Sequence, residues 1–219
     1  MRITFLVLVA LTLATMAVFA LWPQIDLYVA NAFYGASGFV GDGRFERIAR
    51  DFFNVTPFVV LAAFALLYVL RRVGVPVFYA PSGRALVFLA ATMVIGPGLV
   101  VNRGLKNHSH RPRPSHTIGF GGAGEFRPWY RFDGGCGTNC SFASGEASEA
   151  FWMVAPASLA PPPFRVLAVS AALAFGALTS LLRMWVGGHY LSDVLLAGLF
   201  TLLIVQGARM LLFADRKPP

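Results

Sequence analysis

Three polar clusters interrupt an otherwise apolar chain of 219 residues. The first reads Lys106-Asn107-His108-Ser109-His110-Arg111-Pro112-Arg113-Pro114. The second is Ser141-Phe142-Ala143-Ser144-Gly145-Glu146. The third is Arg183-Met184-Trp185-Val186-Gly187-Gly188-His189-Tyr190-Leu191-Ser192-Asp193. These residue types suit the handling of a phosphoryl group. Such a group carries charge on its equatorial oxygens, so a protein that transfers it must hold it in line and stabilise that charge. Arginine supplies a planar fork that matches phosphate, and lysine a point charge. Lys106, Arg113 and Arg183 are therefore a candidate clamp. Pro112 and Pro114 stiffen the chain that presents Arg113. Ser144 and Gly145 stand where a helix is expected to begin, and free N–H groups at a helix N-terminus bind anions.

His189 and Asp193 are four residues apart, so at the start of a helix they share one face. The carboxylate can then hold one imidazole nitrogen and leave the other free to attack phosphorus. Taken singly, each piece has a plainer reading. A His–Asp pair at a helix start is commonly a cap. Lys106 and Arg113 can be interfacial anchors touching lipid head groups. Ser144-Gly145-Glu146 alone is a helix start with an acid in its first turn. Their joint placement at the ends of apolar segments, on one side, is what anchors do not explain.

Those segments must be membrane spans. The chain is 57% hydrophobic and 13% charged, against about 25% charged residues in an ordinary soluble domain. Clear charge-free stretches occupy 3–22, 52–70, 85–101 and 166–182. Two shorter runs, 150–164 and 194–208, extend backwards through polar residues to about Ser144 and His189. Six transmembrane helices in an all-α, polytopic membrane protein are expected. Val18-Phe19-Ala20 resembles a cleavage site, but the first apolar stretch exceeds the roughly 7–15 residues of a signal-peptide core, so a retained helix is expected. Arg2, Arg71, Arg72, Arg84, Arg165, Arg216 and Lys217 fall on one side of these spans, with Asp215 almost the only acid among them. The positive-inside rule puts that side, with both termini, in the cytoplasm. The loops 23–51, 102–143 and 183–188, and with them all three polar clusters, then face outward.

Net charge is +8, from 18 Lys and Arg against 10 Asp and Glu. A basic excess suits nucleic acid, an anionic lipid surface or an anionic substrate. Clustering between apolar runs favours membrane lipids and an anionic substrate, with no nucleic acid. In the first outer loop, Ile25, Tyr28, Val29, Ala32 and Phe33 recur at helical spacing and predict a short interfacial helix. The glycine-rich stretch from Gly35 to Gly43 is expected to turn back toward the second span. Cys136 and Cys140 lie together in the long loop, where an oxidising compartment would let them form a disulfide closing a tiny ring. Their spacing suits neither a two-cysteine redox motif nor, by itself, a zinc site. With no internal repeat, residues 1–219 read as one membrane-embedded domain with a motif core at 106–193. Nothing in the sequence sets the oligomeric state.

The pattern resembles the tripartite signature of the type-2 phosphatidic acid phosphatase superfamily, which also includes vanadium haloperoxidase-like enzymes. Its parts here are Lys106, six residues, Arg113-Pro114; then Ser144-Gly145; then Arg183, five residues, His189, three residues, Asp193. The resemblance implies a membrane lipid phosphatase that needs no metal or other cofactor and works through a phosphohistidine. By the same likeness His189 is the nucleophile and Asp193 its orienter. Lys106, Arg113 and Arg183 bind phosphate, helped by Ser144 and the Gly145 amide. The middle part departs from the family's usual Pro-Ser-Gly-His, since Ala143-Ser144-Gly145-Glu146 puts a glutamate where a histidine protonates the leaving oxygen. Glu146 can serve as that acid if substrate phosphate repels its charge or if it shares a proton with Glu149. Alternatively it only pairs with an arginine, and His108, His110 or His116 supplies the proton. The expected activity is hydrolysis of a lipid phosphate at the periplasmic face of a bacterial inner membrane. The cysteine-flanked stretch before Ser-Gly-Glu is similar to that of members acting on lipid A. Undecaprenyl diphosphate and phosphatidylglycerol phosphate are the alternative substrates. A vanadium haloperoxidase-like enzyme and a non-catalytic lipid-phosphate binder or transporter are the other classes.

Overall fold

The computed structural model describes residues 1–41 and 43–213, so Asp215, Arg216 and Lys217 of the expected cytoplasmic tail lie outside the described residues. Among the described residues, five helical rods are long and apolar enough to cross a membrane. They are α1 (Arg2–Leu21), α3 (Arg44–Arg72), α4 (Gly83–Met93) with its continuation Val94–Lys106, α7 (Pro162–Trp185) and α8 (Leu191–Phe213). Ser82 starts α4 by accepting the Ala85 N–H at 3.1 Å. The continuation that ends on Lys106 is wound as a π-helix and contains Pro97. Such winding is rare and marks functional sites.

The segment expected to form the fourth span is broken, and its prolines say where. It contains α5 (Gly145–Trp152) and α6 (Val154–Ala157). A proline lacks an N–H and its ring crowds the carbonyl four residues back. Pro156 does this to Trp152, where α5 ends, and Pro161 to Ala157, where α6 ends. The segment still matches α7 end to end. Glu146 lies 3.4 Å from Arg183 near one end of α7, and Pro161 leads directly into the other end at Pro162.

Small residues let α5 nest between its neighbours. A Cβ at Gly176 on α7 would stand 2.6 Å from the Phe151 ring, and one at Gly198 on α8 would stand 2.7 Å from it. In an apolar solvent, helices associate through such close packing and through polar contacts. Trp152 Nε1 donates to Thr92 Oγ1 at 3.0 Å, and Ser148 shares a 2.6 Å hydrogen bond with Thr201. Phe88, Leu89, Met93, Trp152, Ala155 and Val205 complete a buried layer around these contacts.

At the end of the bundle that carries the polar clusters, the loops fold over the helix ends. The helix α2 (Gln24–Asn31) appears where the spacing predicts one, but turned about its axis. Asp26 and Ala30 are buried, whereas Tyr28 is 79% exposed and Ala32 is exposed. Asp26 is drawn inward by two partners described below, and this outweighs the apolar stripe. A two-residue hairpin, β1 (Tyr34–Gly35) with β2 (Gly38–Phe39), turns the chain back toward α3. Phe120 and Tyr190 pack with Ala30, Tyr34, Phe39 and Phe126, joining this loop to the long one. Cys136 and Cys140 are disulfide-bonded within the long loop.

Overpacking a site such as Gly198 costs about 1–3 kcal/mol. Gly198→Leu should therefore lower the melting temperature in detergent, read by intrinsic fluorescence. Gly207→Ala should not lower it, because a Cβ there meets Phe5 at an ordinary 3.7 Å.

Candidate active site

A tight turn brings Arg183 and His189 together. Gly187 has φ +65°, a conformation costly for residues with a side chain. Its N–H bonds the Met184 carbonyl at 2.9 Å, and the Gly188 N–H bonds the Arg183 carbonyl at 3.0 Å. The long loop is tied to this turn by the Ser115 N–H, which donates to the Gly187 carbonyl at 3.0 Å. Asp193, in the first turn of α8, reaches back to accept the Tyr190 N–H at 2.8 Å. This is half of a capping box and fixes the helix start.

His189 is 2% exposed. Its Nδ1 lies 2.7 Å from the Ser141 carbonyl and 3.7 Å from Asp193 Oδ2. A carbonyl only accepts, so Nδ1 carries the proton and Nε2 keeps its lone pair. The arrangement differs from the direct carboxylate contact that the spacing suggests. Asp193 acts through Ser141, whose hydroxyl donates to its Oδ2 at 2.5 Å. Burial pushes the imidazole pKa down to about 4, although Asp193 favours the charged form. His189 is therefore neutral at neutral pH, as a nucleophile requires.

Asp193 is held in turn by a residue that sequence reasoning passes over. Arg111 has no exposed surface. It donates through Nη1 to Asp193 at 2.5 Å and to Ser192 Oγ at 2.9 Å, through Nη2 to Asp26 at 2.7 Å, and through Nε to the Arg127 carbonyl at 2.7 Å. Its guanidinium stacks 4.3 Å from the centre of the Tyr190 ring. Burial works against its charge, but Asp193 and Asp26 together hold it in the charged form. Asp26 also takes the Ser192 N–H at 2.8 Å and the Ser192 hydroxyl at 2.6 Å. The only sequence signal for this bridge was an aspartate inside an otherwise apolar helix face.

The three clamp cations gather at the same end of the helices. Arg183 is 3% exposed, and its Nε has no hydrogen-bond partner among the described residues. Arg113 donates through Nε and Nη2 to the Asn139 carbonyl at 3.2 and 3.0 Å. Lys106 lines a cavity of about 840 Å³ with Asn102, Asn139 and Glu149. Its charge is within reach of Arg113, Arg183, Glu146 and Glu149. Like charges held together with few acceptors are the mark of an anion site. Ser144 is buried and its Oγ accepts the Ala147 N–H at 3.3 Å, capping α5. A Cβ on Gly145 would collide with Asn102 Oδ1, so a larger residue here would displace the Asn102 side chain.

The two glutamates have separate partners. Glu149 accepts from Asn102 Nδ2 at 3.1 Å. Glu146 is bound by Arg50, a cation of α3 outside all three clusters, and lies beside Arg183. His108 and His110 are bonded through Nδ1 to the carbonyls of Gly104 and Cys136. Among the described residues, no group of three or more His, Cys, Asp or Glu side chains could hold a metal ion.

The family model described as the PAP2 superfamily matches residues 84–216. The chain belongs to the type-2 phosphatidic acid phosphatase superfamily. Three curated relatives carry the same printed name, lipid A 4′-phosphatase. The protein of Francisella tularensis subsp. novicida is 35% identical over 83% of this chain and 83% of its own length. That of Rhizobium etli is 35% identical over 87% of this chain and 80% of its own. That of Rhizobium leguminosarum is 34% identical over 87% of this chain and 88% of its own. No solved structure matches the chain. The superfamily's Lys–Arg, Ser-Gly and Arg–His–Asp positions all fall within the matched span, as does the departure at Glu146.

Two measurements check this geometry. Nitrogen-15 NMR of labelled histidine should find His189 neutral and protonated on Nδ1, remaining so until the pH falls toward 4. Because the folded pKa lies below the ordinary 6.5, the unfolded chain binds the proton more readily. Stability should thus be lost as pH drops from about 6.5 toward 4. Separately, Arg111→Met leaves two buried carboxylates without their cation and should destabilise the protein by about 3–5 kcal/mol, measured by thermal unfolding in detergent. Adding Asp26→Asn should recover part of that loss.

Proposed function

We propose that this protein removes a phosphate monoester from lipid A at the periplasmic face of a bacterial inner membrane. The observation that carries the reading is a neutral imidazole with Nε2 unblocked, set among Lys106, Arg113 and Arg183 at one end of a membrane bundle. The position, the 4′-phosphate, comes from the relatives' names. We read the segment 144–161 as a further crossing, the fourth of six in chain order, because it runs alongside α7 from end to end. Both termini then lie in the cytoplasm, and α2 lies at the outer surface. The whole chain acts as one domain around the motif core 106–193.

The proposed reaction has two steps. Lys106, Arg113 and Arg183 hold the phosphate oxygens, with the Ser144 hydroxyl and the Gly145 N–H beside them. His189 Nε2 attacks phosphorus in line, forming an N–P bond as the bond to the sugar oxygen breaks. The leaving oxygen takes a proton from Glu146. A bound phosphate dianion draws Arg183 away from Glu146 and favours the protonated acid. Water then attacks the phosphohistidine, giving its proton to the Glu146 carboxylate, and inorganic phosphate departs. The membrane end of the site suits a head group presented while its acyl chains stay in the bilayer.

Phosphate release should be assayed in detergent with lipid A, undecaprenyl diphosphate, phosphatidylglycerol phosphate and phosphatidic acid. Lipid A should be the preferred substrate, and His189→Ala should lose more than about a thousandfold in rate. Glu146→Gln should slow lipid A about a hundredfold or more, yet spare an aryl phosphate whose leaving group needs no proton. Preference for a diphosphate lipid, or full activity of His189→Ala, would contradict the reading.

A further inference from the structure

The outer end of α3 supplies a cation that none of the three sequence clusters contains. Arg50 engages both oxygens of Glu146, with Nη2 and Nε 2.7 and 3.1 Å from one and Nε 3.2 Å from the other. On the far side of the same carboxylate stands the buried Arg183 Nε, 3.4 Å away and without a hydrogen-bond partner among the described residues. A two-oxygen anion is thus wedged between two guanidinium groups. Guanidinium forks bind phosphate with the same geometry that they use for carboxylate.

The pair is poorly placed to serve stability. The Arg50 side chain is 49% exposed, and ion pairs at that exposure contribute little to stability. It is well placed for exchange. A carboxylate carries one negative charge, whereas a phosphate monoester carries up to two and has three oxygens to offer. Arg113 senses the same surroundings. Burial lowers its pKa, Glu146 opposes that, and Arg50 adds to it. Arg50, Arg113, Arg183 and Glu146 therefore share one electrostatic pocket.

We infer that Arg50 is a ligand of the substrate phosphate, and that Glu146 is an internal anion which holds Arg50 and Arg183 in place until that phosphate displaces it. The inference rests on the reading of this site as a phosphate clamp. It gives α3 a part in the site and assigns the glutamate a role before any proton transfer. It also sets a specificity. A phosphate diester offers the same single charge and two free oxygens as the Glu146 carboxylate, so it gains nothing by displacing it. The monoester dianion brings a second charge and a third oxygen, and is the species favoured between the two guanidinium groups.

The test is calorimetric titration of inorganic phosphate into the full-length protein in detergent. Arg50→Gln should weaken phosphate binding about tenfold or more, the size expected for a lost charge-assisted hydrogen bond. Arg50→Lys should restore part of the affinity. Glu146→Gln should tighten phosphate binding several-fold, because the internal competitor is gone, although turnover falls. Melting curves identify any variant that is misfolded, and if Arg50→Gln is one, Arg50→Lys and Glu146→Gln still decide. Unchanged affinity in the Arg50 variants, or weaker binding by Glu146→Gln, would overturn the inference. The two readings fail separately. Arg50-dependent phosphate binding by a wild-type protein that releases no lipid phosphate would sink only the phosphatase assignment. Normal turnover with Arg50-independent binding would sink only this one.

Discussion

Arg111 carries a full positive charge with no exposed surface, and one end of the bundle is arranged around it. A charge so deeply buried persists only if it is paired and hydrogen-bonded. Its partners come from distant parts of the chain: Asp26 on α2, Ser192 and Asp193 on α8, and the Arg127 carbonyl of the long loop. One guanidinium thus fixes the loop that carries α2, the long loop and the start of α8 relative to one another. The orientation of His189 follows, because Asp193 holds Ser141 and the Ser141 carbonyl holds the imidazole. The bridge accounts for the rotation of α2 as well, since Asp26 must face inward to reach Arg111.

The charges of the site divide into two kinds. Arg111 is neutralised by Asp26 and Asp193, and this pairing serves position. Lys106, Arg113 and Arg183 are incompletely neutralised, and in the proposed reaction that surplus holds the phosphate. Separating the two functions has a physical logic. Each cation needed for an anionic substrate repels the others, so the scaffold that holds them must draw its rigidity from elsewhere. Here it comes from the buried bridge, from the Gly187 turn, and from the α5 cap at Ser144, whose N–H also donates to the Asp193 carbonyl at 3.3 Å.

Much of this could be read from the sequence, for reasons that differ by feature. Apolar run length marks helices in a membrane protein, because each must satisfy its own backbone groups in lipid. The rods ending on Lys106 and Arg183 and beginning near His189 were legible in this way. Run length does not register the break in the segment before Pro161, which follows from Pro156 and Pro161 rather than from hydropathy. Spacing put Asp193 next to His189, but it could not show that the Ser141 carbonyl would take the imidazole proton. That competition is tertiary. Arg50 and Asp26 lay further out of reach. One arginine among three in the first turns of α3 and a lone aspartate in a short helix gain meaning only once Glu146 and Arg111 face them.

In the proposed reaction His189 takes the phosphoryl group covalently. Rapid acid-free quenching of the full-length protein with lipid A bearing a radiolabelled 4′-phosphate separates this from direct attack by water. Label should appear on the protein, stable to alkali, lost in acid, mapped to His189 and absent from His189→Ala. Label that persists in His189→Ala, or turnover in which the protein is never labelled, would contradict it.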